Sequence, residues 1–141
     1  MMQLTDSDFN RLVRFMQENY GINLKQKRLL INSRLSASLQ AQGYTILARN
    51  FRTRWGEIDL VASDAKYLAF VEVKTRRSDH FAPACAAVDA AKQRRLVLTA
   101  EGWLAAHPTD NLQPRFDVVE VYGAEGGPAC TIRHLKNAFD A

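Results

Sequence analysis

Two cysteines in 141 residues, Cys85 and Cys130, are too few and too far apart for a disulfide framework. Neither stands in a pair or beside histidines at ligand spacing, so a thiolate zinc site is not indicated either. The three histidines, His80, His107 and His134, are scattered, and their spacing assigns them no catalytic role. No apolar run approaches the roughly 18 residues that a membrane span requires. The opening "MMQLTDSDFN" is acidic and amphipathic, unlike a secretory leader. The chain also lacks internal repeats and low-complexity linkers. These absences point to a chain with no membrane partner, expected in the cytoplasm.

What is present fits one ordinary folded domain. Hydrophobic residues make up 47% and charged residues 24%, which separates the chain from disordered sequences. Nineteen Lys and Arg against 15 Asp and Glu leave a net charge of +4, a mild excess whose placement says more than its size. Arg49, Arg52 and Arg54 precede the stretch "GEIDLVASDAKYLAFVEVKTRR" (56–77), Arg76 and Arg77 end it, and Lys92, Arg94 and Arg95 follow. Such flanking clusters are either a solvated face or a grip on an anionic partner.

Periodicity gives the order α-α-β-β-β-α-β-β. Thr5 and Asp8 make a capping-box-like start to a helix over 5–20, with Phe9, Leu12, Val13 and Met16 on one stripe and Gly21 as its stop. A second helix is expected over 25–42, with Ile31, Leu35 and Leu39 facing a core. "YTILARNFRT", "GEIDLVA" and "YLAFVEVKTRR" read as strands, and "SDAK" as the turn between the last two. A helix over 88–106 places Leu96, Ala100, Trp103 and Leu104 inward and stops at Pro108. "RFDVVEVYG" reads as a fourth strand and "TIRHL" as a short fifth before a frayed end.

The chemistry concentrates in the hairpin. Side chains alternate along a strand, so Glu57, Asp59 and Val61 should share one face, and Phe70, Glu72 and Lys74 another. A tight turn near Asp64 and Ala65 permits two registers. Either one puts Asp59 on the face of Glu72 and Lys74, within one pair of directly opposite. Charges inside apolar strands are costly unless paired, solvated or bound to a metal. Two close carboxylates resist ionising together unless a cation lies between them. Mg²⁺ or Mn²⁺ suits such a site, held by Asp59 and Glu72, with Lys74 placed to serve a water or a phosphate. A salt-bridged patch on a wet sheet face uses the same residues. Glu57 reads as an exposed strand-end acid in preference to an outer metal ligand, Asp117 as the start of a strand, and Trp55, beside Arg52 and Arg54, as a ring packed under its turn in preference to one stacked on a base. Lys92 and Gln93 open a helix near the proposed site.

"GYTILARNFRTRWGEIDLVASD", "FVEVKTRRS", "AVDAAKQRRL" and "RFDVV" together resemble the YraN family of small bacterial proteins, over roughly Leu39 to Phe139. The resemblance implies an α/β, restriction-endonuclease-like αβββαβ core related to Holliday-junction resolvases, here with an extra N-terminal helix. It also implies a PD-(D/E)xK nuclease site of Asp59, Glu72 and Lys74. The expected partner is DNA, branched or single-stranded forms included, with Arg52, Arg54, Arg76, Arg77 and Lys92 on phosphates; self-association is compatible with this reading. The preceding segment, "LTDSDFNRLVRFMQENYGINLKQKRLLINSRLSASL", is similar to the N-terminal helical domain of CheR-type chemotaxis receptor methyltransferases. The chain thus reads as a fusion of a helical segment, 1–38, with a nuclease-fold domain, 39–141, whose core the helix over 25–42 completes. Where the YraN pattern commonly carries a helix glutamate, this chain has Asn32. A non-catalytic, nucleic-acid-binding chimera is therefore the rival to an active nuclease.

Overall fold

A computed structural model describes residues 28–76, 88–108, 111–122 and 131–140. The expected helix over 5–20 lies outside the described residues. Residues 28–30 are helical and lead through a π-helical turn, Ile31–Leu35, into α1 (Ser36–Ala41). The wide turn has local support: the Ser36 hydroxyl donates to the Ile31 carbonyl at 2.7 Å and accepts from Arg49 Nε at 3.1 Å. Gly43, at φ 96°, ends the helix in a conformation that favours glycine.

Five strands follow in one sheet, ordered as in the sequence: β1 (Thr45–Thr53), β2 (Gly56–Ser63), β3 (Tyr67–Arg76), β4 (Gln113–Tyr122) and β5 (Thr131–Phe139). The pairs β1–β2, β2–β3 and β4–β5 are antiparallel. β3 and β4 are parallel because α2 (Ala90–Ala106) carries the chain back between them. Asp89 caps α2 by accepting the Lys92 amide at 2.8 Å. Asp64 holds the β2–β3 turn by accepting the Lys66 and Tyr67 amides at 2.9 and 2.7 Å. The result is an α/β fold compatible with the restriction-endonuclease-like core. Among the described residues no helix is long and apolar enough to cross a membrane.

Each sheet face has its own core. Leu30, Ile31, Leu35 and Leu39 of the first helix pack on Leu60, Ala62, Val71, Val73, Val119 and Val121. On the other face Leu96, Ala100 and Trp103 of α2 pack on Ile58, Val61, Leu68, Phe70, Phe116 and Val118. Leu104 is only partly buried there. A parallel pair covered on both faces reads as a near-continuous apolar run, which is what "FVEV" and "DVVEVY" are, apart from their acids.

Two expectations need correction. β5 is not a short strand with a frayed end but extends to Phe139, whose ring stacks on Phe116 at 4.8 Å. Nor does β2 alternate strictly. Ile58 and Val61 lie in the same core, three residues apart, as do Ala48 and Phe51 on β1. The flanking pairs Arg49↔Leu60 and Phe51↔Ile58 leave Asn50 across from Asp59, and Asn50 adopts φ 55°. Both strands therefore break phase at one level, so Glu57, Asp59 and Val61 do not form the regular one-faced row that alternation implies.

Because Leu35 is 2% exposed in the first core, Leu35→Ala should destabilise the protein by about 2–5 kcal/mol, read as a lower denaturant midpoint with an unchanged slope.

Candidate functional site

The β2–β3 ladder runs from Ser63↔Leu68 to Leu60↔Val71, one of the two registers the turn permits, and then ends. Beyond it β2 stays with β1, down to Thr53↔Gly56, while β3 stays with β4, out to Arg76↔Tyr122. The two strands part, and Asp59 and Glu72 are the first residues past the fork. Asp59 Oδ2 accepts the Val73 amide at 2.7 Å, so a β3 donor finds a β2 carboxylate. Both acids are buried, at 6% and 4% exposure.

Regular alternation along β3, with Leu68 and Phe70 on the α2 face and Val71 and Val73 on the other, puts Glu72 and Lys74 on the α2 face. Lys74 Nζ lies 4.0 Å from Glu72 Oε1, and Lys92 Nζ, from the first turn of α2, lies 3.6 Å from the same oxygen. Both distances exceed the usual hydrogen-bond range, so the ammonium groups balance the carboxylate without closing on it. The hairpin triad is thus gathered within a residue of Val73. Lys92 stands against Glu72 as well, a placement the sequence suggested only loosely. The donor set available to a metal is two buried carboxylates on diverging strands, all oxygen, which fits Mg²⁺ or Mn²⁺.

The other basic candidates divide. Arg52 donates to Glu57 Oε2 at 3.3 Å, and Arg28 approaches Glu57 Oε1 at 3.8 Å. Glu57 is therefore a half-buried ion-pair partner rather than an exposed strand-end acid. Arg54 lies over the Trp55 ring at 4.6 Å. Arg76 ends β3, and Arg77 lies outside the described residues. Asn32 is exposed on the first helix. Trp55, expected under its turn, is 44% exposed.

On the opposite face lies a polar cluster that spacing missed. Asp117, far from merely starting a strand, sits inside β4 at 1% exposure. It accepts both Nε and an Nη of Arg115 at 2.8 Å, His134 Nε2 at 2.8 Å and the Asn137 amide at 3.0 Å. Nε2 must be the donor, since an ionised carboxylate only accepts. Arg115 also donates to the Tyr44 hydroxyl at 2.7 Å. The carboxylate fills the register shift between Phe116 and Val118, where Asn137 takes φ 53°. Only the "RFD" spacing, i and i+2 on one face, could have hinted at the Arg115–Asp117 half.

Comparison with known proteins follows from this geometry. Residues 33–121 match the model of the uncharacterised protein family UPF0102. The chain belongs to that family. A UPF0102 protein of Symbiobacterium thermophilum is 51% identical over 104 residues, covering 73% of this chain and 86% of that protein. One from Nitrobacter winogradskyi is 47% identical over 109 residues (77% and 86%), and one from Geobacter metallireducens 45% over 102 (72% and 82%). The family assignment agrees with the YraN resemblance carried by the hairpin.

Burial alone would raise the Asp117 carboxyl, but His134, the Arg115 guanidinium and the Asn137 amide together hold it below the usual range. Its stabilisation is therefore present above the unfolded carboxyl's value of about 3.9 and is lost as pH falls through the lower folded value. Asp117→Asn should cost about 3–5 kcal/mol at pH 7 by leaving the buried Arg115 without a counter-charge. Denaturation at pH 7 and pH 3 should show the variant losing less stability on acidification than the parent.

Proposed function

We propose that this chain is a metal-dependent DNA nuclease of the PD-(D/E)xK type, hydrolysing phosphodiesters. The observation that carries the reading is the fork between β2 and β3, with Asp59 and Glu72 buried at its mouth and Lys74 beside them. Asp59 and Glu72 would hold Mg²⁺ or Mn²⁺. The bound ion would supply Lewis-acid polarisation of a phosphate and a more acidic water. Lys74 is positioned to orient that water or to balance charge on the phosphate. Lys92, at the first turn of α2, offers a second cation to an anionic substrate once Glu72 is otherwise neutralised. The exposed Arg52 and Arg54 extend the positive surface toward the β1–β2 turn.

A second reading, a nucleic-acid-binding module without cleavage, draws on two observations. Two ammonium groups already compensate Glu72, and Asn32 brings no charge where the YraN pattern commonly has a helix acid. The derivation of residues 1–38 from a chemotaxis methyltransferase is likewise a proposal resting on sequence resemblance; the family match itself begins at residue 33.

Cleavage of single-stranded, duplex and branched DNA, titrated with Mg²⁺ and Mn²⁺, separates the two readings. The nuclease reading expects metal-dependent products, and their absence on every substrate would refute it. Asp59→Asn keeps an oxygen for the Val73 amide while removing the charge. It should lower cleavage on the order of a hundredfold or more with little loss of stability, as should Glu72→Gln.

DNA affinity, measured without metal, should fall steeply between roughly 50 and 200 mM salt, because each phosphate neutralised by Lys or Arg releases counterions. A salt-insensitive affinity would assign the basic clusters to a solvated face.

A further inference from the structure

The β1–β2 hairpin ends in a two-residue turn, Arg54-Trp55, between the paired Thr53 and Gly56. Thr53 Oγ1 accepts the Trp55 amide at 3.1 Å, which tightens the turn without using the indole. Of the two tryptophans in the chain, Trp103 is buried at 5% exposure with Phe51 edge-on at 5.3 Å, whereas Trp55 is 44% exposed. At the hairpin tip the indole keeps much of its surface in solvent, with Arg54 over its ring, and so stays open to a further stacking partner.

The surroundings of Trp55 are cationic and lead to the carboxylates. Arg54 lies over its ring, and Arg52, 64% exposed along its side chain, stands one position further back. The tip rests on α2: a Cβ placed on Gly56 would meet Arg95 Cβ at 3.7 Å and Thr99 Oγ1 at 3.4 Å, and Thr53 Oγ1 lies 3.5 Å from Thr99 Oγ1. Lys92, Arg95 and Thr99 are spaced three and four apart, so they share one face of α2. That face begins at Glu72, where Lys92 sits, and ends at the hairpin tip. Seven residues of helix span about 10 Å. At ~3.4 Å per stacked nucleotide, that is a reach of about three nucleotides.

From this arrangement we infer that the hairpin tip is a base-stacking contact, Trp55 taking an unpaired nucleobase while Arg54, Arg52 and Arg95 hold the adjoining phosphates. The inference rests on the nuclease reading for its placement next to the scissile bond, and it assigns the substrate class: DNA with an unpaired stretch beside the cut. Bases inside a duplex have both faces covered by their neighbours, so an indole at this tip gains contact only where a strand is single or frayed.

The test is binding of the full chain in EDTA, so that no cleavage intervenes, to a dT oligonucleotide and to a blunt hairpin duplex of equal phosphate number. The oligonucleotide should quench tryptophan emission, and Trp55→Phe should abolish that quenching while keeping most of the affinity. Trp55→Ala should weaken single-strand binding roughly 5- to 100-fold and duplex binding by less than about twofold. Unquenched emission on saturation with the oligonucleotide, or an equal loss on both DNAs, overturns the inference. Quenching and selective loss without any metal-dependent cleavage would leave the stacking contact standing and remove the nuclease reading instead.

Discussion

The 2.7 Å hydrogen bond from the Val73 amide to Asp59 Oδ2 stands where the β2–β3 ladder stops, and the site depends on it. When two strands diverge, the first backbone groups past the fork lose their partners, and a buried unpaired amide costs about as much as a lost hydrogen bond. Here a carboxylate takes the place of a carbonyl. The strands separate without orphaning the donor, and the substitution fixes an acid at the fork, one register step from Glu72. The matching irregularity on the outer side, with Asn50 at φ 55° across from Asp59, lets β1 and β2 stay paired through the same level. An asparagine tolerates that conformation better than most side chains. The fork is thus built into three strands.

Two of the buried acids, Asp117 and Glu72, have partners of opposite character. Around Asp117 the partners are short, numerous and held by the fold: a bidentate guanidinium, an imidazole and a backbone amide, all at 2.8–3.0 Å. The work of this network is to hold β5 against β4 across a bulge. Around Glu72 the compensating charges sit at 3.6 and 4.0 Å on long lysine side chains, each about a third exposed. Those heads can move off a carboxylate at small cost, since a strongly hydrated ammonium on a flexible stem is easily re-solvated. The two lysine contacts to Glu72 are of a kind that can exchange with another cation, whereas the short bonds around Asp117 belong to a scaffold.

Much of this was legible in the sequence, because it rests on local signals. Hydrophobic period and turn chemistry gave the strands, α2 and the inward stripe of Ile31, Leu35 and Leu39. The "SDAK" turn narrowed the pairing to two registers, and the structure takes the one that puts Asp59 level with Glu72. What was not legible depends on contacts across strands distant in sequence. His134 and Asp117 are 17 residues apart and meet only because β5 pairs back on β4, so histidine spacing said nothing about them. The break in alternation at Asp59 was hidden for a similar reason. Period-two reasoning assumes a regular ladder, and this one changes phase where the strand leaves one neighbour for another. Trp55 was misplaced by a rule of composition, that large aromatics pack, applied at a tip where Arg54 lies over the ring and 44% of the residue stays exposed.

The division of labour within the fold bears on the helix that precedes the sheet. The groups named at the fork, Asp59, the Val73 amide, Glu72, Lys74 and Lys92, come from β2, β3 and the first turn of α2. The first helix contributes an apolar stripe on the opposite core and polar ties that include Ser36 to Arg49 and Arg28 to Glu57, while Asn32 is exposed. A helix in that position need only match the volume and period of the sheet face it covers, and hydrophobic surfaces of about the right size are interchangeable to a first approximation. The π-helical turn at Ile31–Leu35 shows how such a match is tuned. One wider turn rotates the following stripe and lets Ile31, Leu35 and Leu39 all reach the core. Whatever the origin of its first residues, the chain can keep the geometry of the fork intact, because the fork is fixed by strand pairing and the cap of α2, not by the identity of the helix that shields the far side of the sheet.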